Sequence, residues 1–118
     1  MFIRYLFSLL FCLVCLSFTR STEAQGIIDS FPSPGSEPRG LAWDGEYLWC
    51  ANAGTDSVYK LDISNGSVTS SFPFSIESSY GGITWSEDNN MWIANGDYVY
   101  KVDPVTGDTV SSFHCPGG

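Results

Sequence analysis

Short apolar runs separated by polar turns repeat along most of this chain. In Gly40–Phe72, Leu41-Ala42-Trp43 is followed by Asp44-Gly45-Glu46, and Tyr47–Ala51 by a polar stretch to Asp56. Val58-Tyr59-Lys60-Leu61 then runs into Ser64-Asn65-Gly66. Runs this short, rich in aromatic and β-branched residues and bounded by Gly, Asn, Asp or Pro, read as strands. The pattern predicts strands a to d at Gly40–Asp44, Tyr47–Asn52, Ser57–Ile63 and Ser67–Phe72. It predicts them again at Gly82–Ser86, Asn90–Asn95, Tyr98–Val102 and Asp108–Phe113. Gly26–Phe31 matches strand d and predicts an additional strand at the front. Asp44-Gly45, Asn65-Gly66 and Asp103–Gly107 carry hairpin-turn chemistry, so consecutive strands are expected to pair antiparallel.

The two sets are copies. Gly40 matches Gly82, Trp43 matches Trp85, Trp49 matches Trp92, Asn52 matches Asn95, Lys60 matches Lys101 and Gly66 matches Gly107. The offset is 42, then 43, then 41 residues, and it changes only where turns lie. A period of about 40 residues with four short strands is the signature of a β-propeller blade. The b strands support this. Tyr47–Ala51 and Met91–Ala94 do not alternate apolar with polar, so both faces should be covered, as stacked blades would cover them. The d strands are rich in Ser and Thr, as suits a solvated rim. The four tryptophans recur at matching positions, which points to packing between blades rather than to a sugar platform.

The expected fold is therefore all-β: two four-stranded antiparallel blades, at residues 40–72 and 82–113, plus the front strand. A closed ring takes roughly four to eight blades. The chain is thus expected to be the start of a larger propeller, of roughly six or seven blades. Ser112–Gly118 resembles Ser30–Ser36 and reads as the start of another link from strand d to the next strand a. A short chain that builds a ring from several copies is the other arrangement consistent with the pattern.

Compartment comes from the N-terminus. Arg4 precedes an apolar run, Tyr5–Phe18, and Thr22-Glu23-Ala24 offers small residues to a signal peptidase. Residues 1–24 are expected to be a signal peptide, since the run is shorter than the roughly 20 residues a spanning helix needs. Cleavage would leave Gln25–Gly118, secreted or periplasmic, with no stable membrane anchor. It would remove Cys12 and Cys15. Only Arg39, Lys60 and Lys101 then stand against 12 acids, a net charge of −9. That excess disfavours nucleic acid and anionic membranes as partners. Of the remaining cysteines, Cys50 occupies a strand position matched by Ile93 and reads as a core residue. An oxidising compartment permits a Cys50–Cys115 bridge, but the spacing does not require one.

Pro38–Asp44, Leu48–Asn52 and Val58–Asp62 carry Pro-x-Gly-Leu-x-Trp-Asp, Leu-Trp-x-Ala-Asn and Val-Tyr-Lys-Leu-Asp. These segments resemble NHL-type and YVTN-type propeller repeats. They are also similar to blades of glutamine cyclotransferases and, more distantly, of gluconolactonase-like propellers. The second copy departs, with Tyr80-Gly81 for Pro38-Arg39 and Ser86 for Asp44. The resemblance implies a propeller. It carries no catalytic residue across, because the enzymes of this group draw acids and asparagines from several blades.

The chain shows no metal-ligand cluster, no nucleophile triad and no phosphate loop, so no cofactor is evident. Asn65-Gly66-Ser67 fits a glycosylation acceptor, but Asn-Gly is also what a tight turn there requires. A meander sends the d–a links and the b–c turns to one face of the ring. The ligand-face candidates are therefore Glu37, Arg39, Asn52, Asp56, Glu77, Tyr80, Asn95 and Asp97, and the acids among them would accept a divalent cation. All eight also suit loop capping. The expected function is a secreted, non-catalytic repeat segment that binds protein or glycan or serves structure, with further blades as partners. The alternative is part of a cyclotransferase- or lactonase-like enzyme completed by other blades.

Overall fold

The computed structural model describes residues 26–77 and 81–116. The expected signal peptide lies outside the described residues. By its contacts the chain divides between Ser30 and Phe31. In the first unit, residues 26–30 form no strand, and Ile27 and Ile28 are fully open to solvent. This corrects the expected front strand. Gly26–Phe31 has the sequence of strand d, but a strand forms only where a neighbour takes its backbone hydrogen bonds.

The second unit holds two four-stranded antiparallel sheets, each with its strands in chain order. Blade 1 consists of β1 (Pro38–Trp43), β2 (Leu48–Asn52), β3 (Ser57–Leu61) and β4 (Val68–Pro73). Blade 2 consists of β5 (Ile83–Trp85), β6 (Met91–Asn95), β7 (Tyr98–Val102) and β8 (Thr109–His114). No helix occurs among the described residues. Asp62 and Asp103 fold the two c–d turns alike: the carboxylate of Asp62 accepts from Ser64 N, and that of Asp103 from Val105 N, each at 2.8 Å. Gly66 and Gly107 follow at φ 73° and 79°, a conformation that glycine adopts without penalty. Both blades also carry a register shift at the same place, between Lys60 and Leu61 and between Lys101 and Val102. The repeat thus extends to the irregularities.

The core lies between the blades. Ala42, Trp49, Ala51, Val58 and Phe72 of blade 1 are buried with Ile83, Met91, Ile93 and Val102 of blade 2, and with Ile76 from the link. The innermost strands β1 and β5 lie side by side. A Cβ on Gly40 would come within 2.5 Å of Gly81 O, so only glycine lets the two backbones approach this closely. Trp49 stacks on Trp85, with centroids 5.8 Å apart and 20° between planes, and Phe72 tilts against Trp49 at 6.2 Å. Packing between blades holds for these two tryptophans. Trp43 is 48 % exposed, and Trp92 tilts against Phe113 of its own blade at 5.9 Å.

Candidate functional site

The b–c turns and the d–a link lie at one end of the strands, as the meander requires, and the structure assigns local roles to most of the candidate residues there. Asn95 clamps the link. Its Nδ2 donates to Ser75 O and its Oδ1 accepts from Glu77 N, both at 2.7 Å. Asp56, at φ 48°, accepts from Ile76 N through its carboxylate at 3.2 Å and from Phe74 N through its carbonyl at 3.0 Å. The Asp97 carbonyl takes Cys115 N in the same way, at 2.7 Å. Glu37 and Arg39 pair with each other at 3.0 Å, both well exposed. The Glu77 carboxylate lies beside Gly96. Tyr80 is outside the described residues.

Asn52 differs from its counterpart. It is fully buried. Its Oδ1 accepts only a long bond of 3.4 Å from Thr55 Oγ1, and its Nδ2 has no partner. The side chain lies against Gly35, four residues after Phe31, just as Asn95 holds the link around Ile76, four residues after Phe72. Asn52 thus stands beside its link without bonding it, and Asn95 is a clasp for the incoming link. Its repetition was legible in the sequence; its partners were not, because they lie 18 and 20 residues away.

The opposite end carries a cleft of about 420 Å³, lined by Asp44, Trp49, Lys60, Trp85, Asn89 and Val105 among others. Asp44 is fully engaged there. It accepts from Glu46 N at 2.8 Å, Tyr47 N at 2.7 Å and Trp49 Nε1 at 2.8 Å. Partial burial pushes its carboxyl up, but these bonds and the Lys60 charge outweigh that and hold it below the usual carboxylate range. Lys60 sits 4.1 Å from the centre of the Tyr47 ring and 5.5 Å from that of Trp49, a cation–π arrangement. Lys101 repeats the contact over Trp92 at 5.5 Å and pairs with Asp88. That pairing, chiefly, pushes the Asp88 carboxyl down to about 2. No group of three or more His, Cys, Asp or Glu placed to hold a metal ion occurs among the described residues. Cys50 and Cys115 are both free thiols. Burial pushes the Cys50 thiol up, against a smaller opposing effect of its hydrogen bond with Ser33.

The outer faces of the pair matter as much as either end. Residues that blade 2 buries on blade 1 have counterparts on blade 2 that nothing covers among the described residues. Ala51 is 0 % exposed while Ala94 is open, and Trp49 is buried while Trp92 is half-buried. Gly82, Ile83, Thr84, Trp92, Ala94 and Val99 line an apolar groove of about 260 Å³. A Cβ on Gly82 would meet nothing within 4 Å, where one on Gly40 strikes the next blade.

Among the solved structures that match this arrangement are apo AztD from Citrobacter koseri, with a TM-score of 0.57 at 12% identity, and a luciferin-regenerating enzyme, with 0.55 at 23%. They cover 71% and 75% of this chain. Both are propeller-type folds. The two sheets are propeller blades. Among curated proteins, the uncharacterized protein YwhL of Bacillus subtilis (strain 168) is 31% identical over 83 residues, or 65% of this chain. The chain spans 17% of YwhL, 25% of AztD and 33% of the luciferin-regenerating enzyme. No family profile matches it.

Proposed function

We propose that this chain supplies two consecutive blades, of the NHL/YVTN kind, to a secreted, non-catalytic β-propeller that binds an extracellular protein or glycan. One observation carries the reading: the joint between the blades has two different halves, and each outer face of the pair carries one half open. The donor half is Ala42, Trp49 and Ala51. The acceptor half is Ile83 and Trp85. Blade 2 offers a free donor half, Thr84, Trp92 and Ala94, while blade 1 offers a free acceptor half, Leu41 at 60 % exposure and Trp43 at 48 %. A ring is what a repeated two-sided joint builds when it closes. Export rests on the apolar run and the Thr22-Glu23-Ala24 site. Binding is placed on the face of the d–a links, because links vary more readily than strands.

Expression in a secreting host tests this. The product in the medium should begin at Gln25 by intact mass. Sedimentation should show association that grows with concentration and weakens in Trp92→Lys, because large apolar side chains left open forgo about 1.5–3 kcal/mol each. Retention in the cells with residues 1–24 intact would refute export. A monomer that stays monodisperse at high concentration and melts cooperatively would refute the need for neighbouring blades.

A further inference from the structure

The cleft between the blades holds a cation that no acid neutralises. Its blade 1 wall carries Lys60 and Ser70, and its blade 2 wall carries Trp85, Asn89 and Val105. Lys60 pairs across the strands with both Trp49 and Ser70, so all three side chains share the face turned toward blade 2. Lys60 pairs with no carboxylate among the described residues. Asp44, the acid that shares the cleft, is occupied by Glu46 N, Tyr47 N and Trp49 Nε1. The rings of Tyr47 and Trp49 attract the ammonium, at 4.1 and 5.5 Å, but give its N–H groups no lone pair to bond. In the second repeat the same lysine is neutralised. Lys101 pairs with Asp88, from a turn between Trp85 and Trp92 that is one residue longer than the turn between Trp43 and Trp49. The shorter turn brings no acid to Lys60. The cation is thus left without a counter-charge in the copy that faces a neighbouring blade. The space before it, about 420 Å³, is of the size that encloses small molecules.

We propose that this cleft binds a sugar acid: a hydroxylated ring that bears one carboxylate. Lys60 takes the carboxylate in a charge-assisted hydrogen bond. The Ser70 hydroxyl and the Asn89 amide line the same cleft and serve the ring hydroxyls. Trp85 and Val105 supply an apolar wall for the C–H face of the ring. The acidic excess of the chain repels long polyanions, so the ligand is a free sugar acid or the end of a glycan, not the body of a polyuronate. Both walls belong to blades 1 and 2, so the site is complete without a further blade. It lies at the opposite end of the strands from the links, and is a second site beside the face assigned to protein or glycan above.

The probe is galacturonic acid, titrated into the purified chain and followed by tryptophan fluorescence and calorimetry. Saturable binding is expected, at least about tenfold tighter than that of galactose, which lacks the carboxylate, or of acetate, which lacks the ring. Lys60→Met should weaken it at least about tenfold, the scale of one hydrogen bond to a charged group, and Lys101→Met should leave it unchanged. Val105 lines the cleft from a turn and is 90 % exposed, so Val105→Trp narrows the cleft without disturbing Lys60 and should weaken binding as well. A trimer of galacturonate distinguishes the sources: binding equal to the monomer's supports a glycan end, and binding by the monomer alone supports the free acid. Galactose binding as tightly as galacturonate, affinity unchanged in Lys60→Met, or no binding at all overturns the site and leaves the propeller reading standing.

Discussion

Asn52 and Asn95 stand at the same place in two repeats and differ in what they hold. Asn95 makes two bonds of 2.7 Å to the link, while Asn52 makes one long bond and leaves its amide nitrogen without a partner. Removing Asn95 leaves Glu77 N and Ser75 O to find water, so Asn95→Ala should cost about 1–3 kcal/mol in denaturant unfolding. Asn52→Ala should cost less, because burying an unbonded amide is itself unfavourable. Equal losses in the two variants would show that the clasp contributes nothing. Asp88 carries a pH dependence. Its folded carboxyl is depressed from 3.8 to about 2, chiefly by Lys101. It therefore contributes stability fully above its unfolded value, and this is lost as the pH falls from 3.8 toward 2. Replacing its partner in Lys101→Met should flatten that part of the stability profile and leave the slope above pH 5 unchanged. An unaltered acid limb in urea melts would contradict this.

At the level of strands, the eight repeat elements were legible to within two residues at each end, because apolar runs and turn residues are local signals. The front strand was not. Ile27 and Ile28 fit strand d, but its missing backbone partners are a non-local matter that no local pattern reveals. The pairing of the tryptophans was hidden for the same reason. Trp49 meets Trp85, its counterpart's neighbour in the fold and not its own counterpart, and only the sheet geometry brings them to 5.8 Å. Among the ligand-face candidates, Asn95 and Asp56 bind the backbone of their own link, the loop-capping role that also suited them in the sequence. The close pass of β1 by β5 gives a sharp comparison between equivalent positions. Gly40→Ala drives a methyl group into Gly81 O and should cost about 1–3 kcal/mol, while Gly82→Ala faces open space and should leave thermal unfolding nearly unchanged. Similar losses at both positions would show that blade 2's outer face is already covered in solution.

At the scale of the molecule, the joint is directional: a donor face with Trp49 meets an acceptor face with Trp85, and the pair ends in one free face of each kind. A joint of this kind, repeated with the same rotation at each step, comes back on itself and stops. Phe31 is seated against Gly66 as Phe72 is seated against Gly107, in the place that Phe113 of an arriving copy's blade 2 would take. Deleting residues 25–37 clears that place, so the trimmed chain should form larger species in sedimentation than the intact chain at the same concentration. Equal sizes would show that this seat does not limit how many blades can gather.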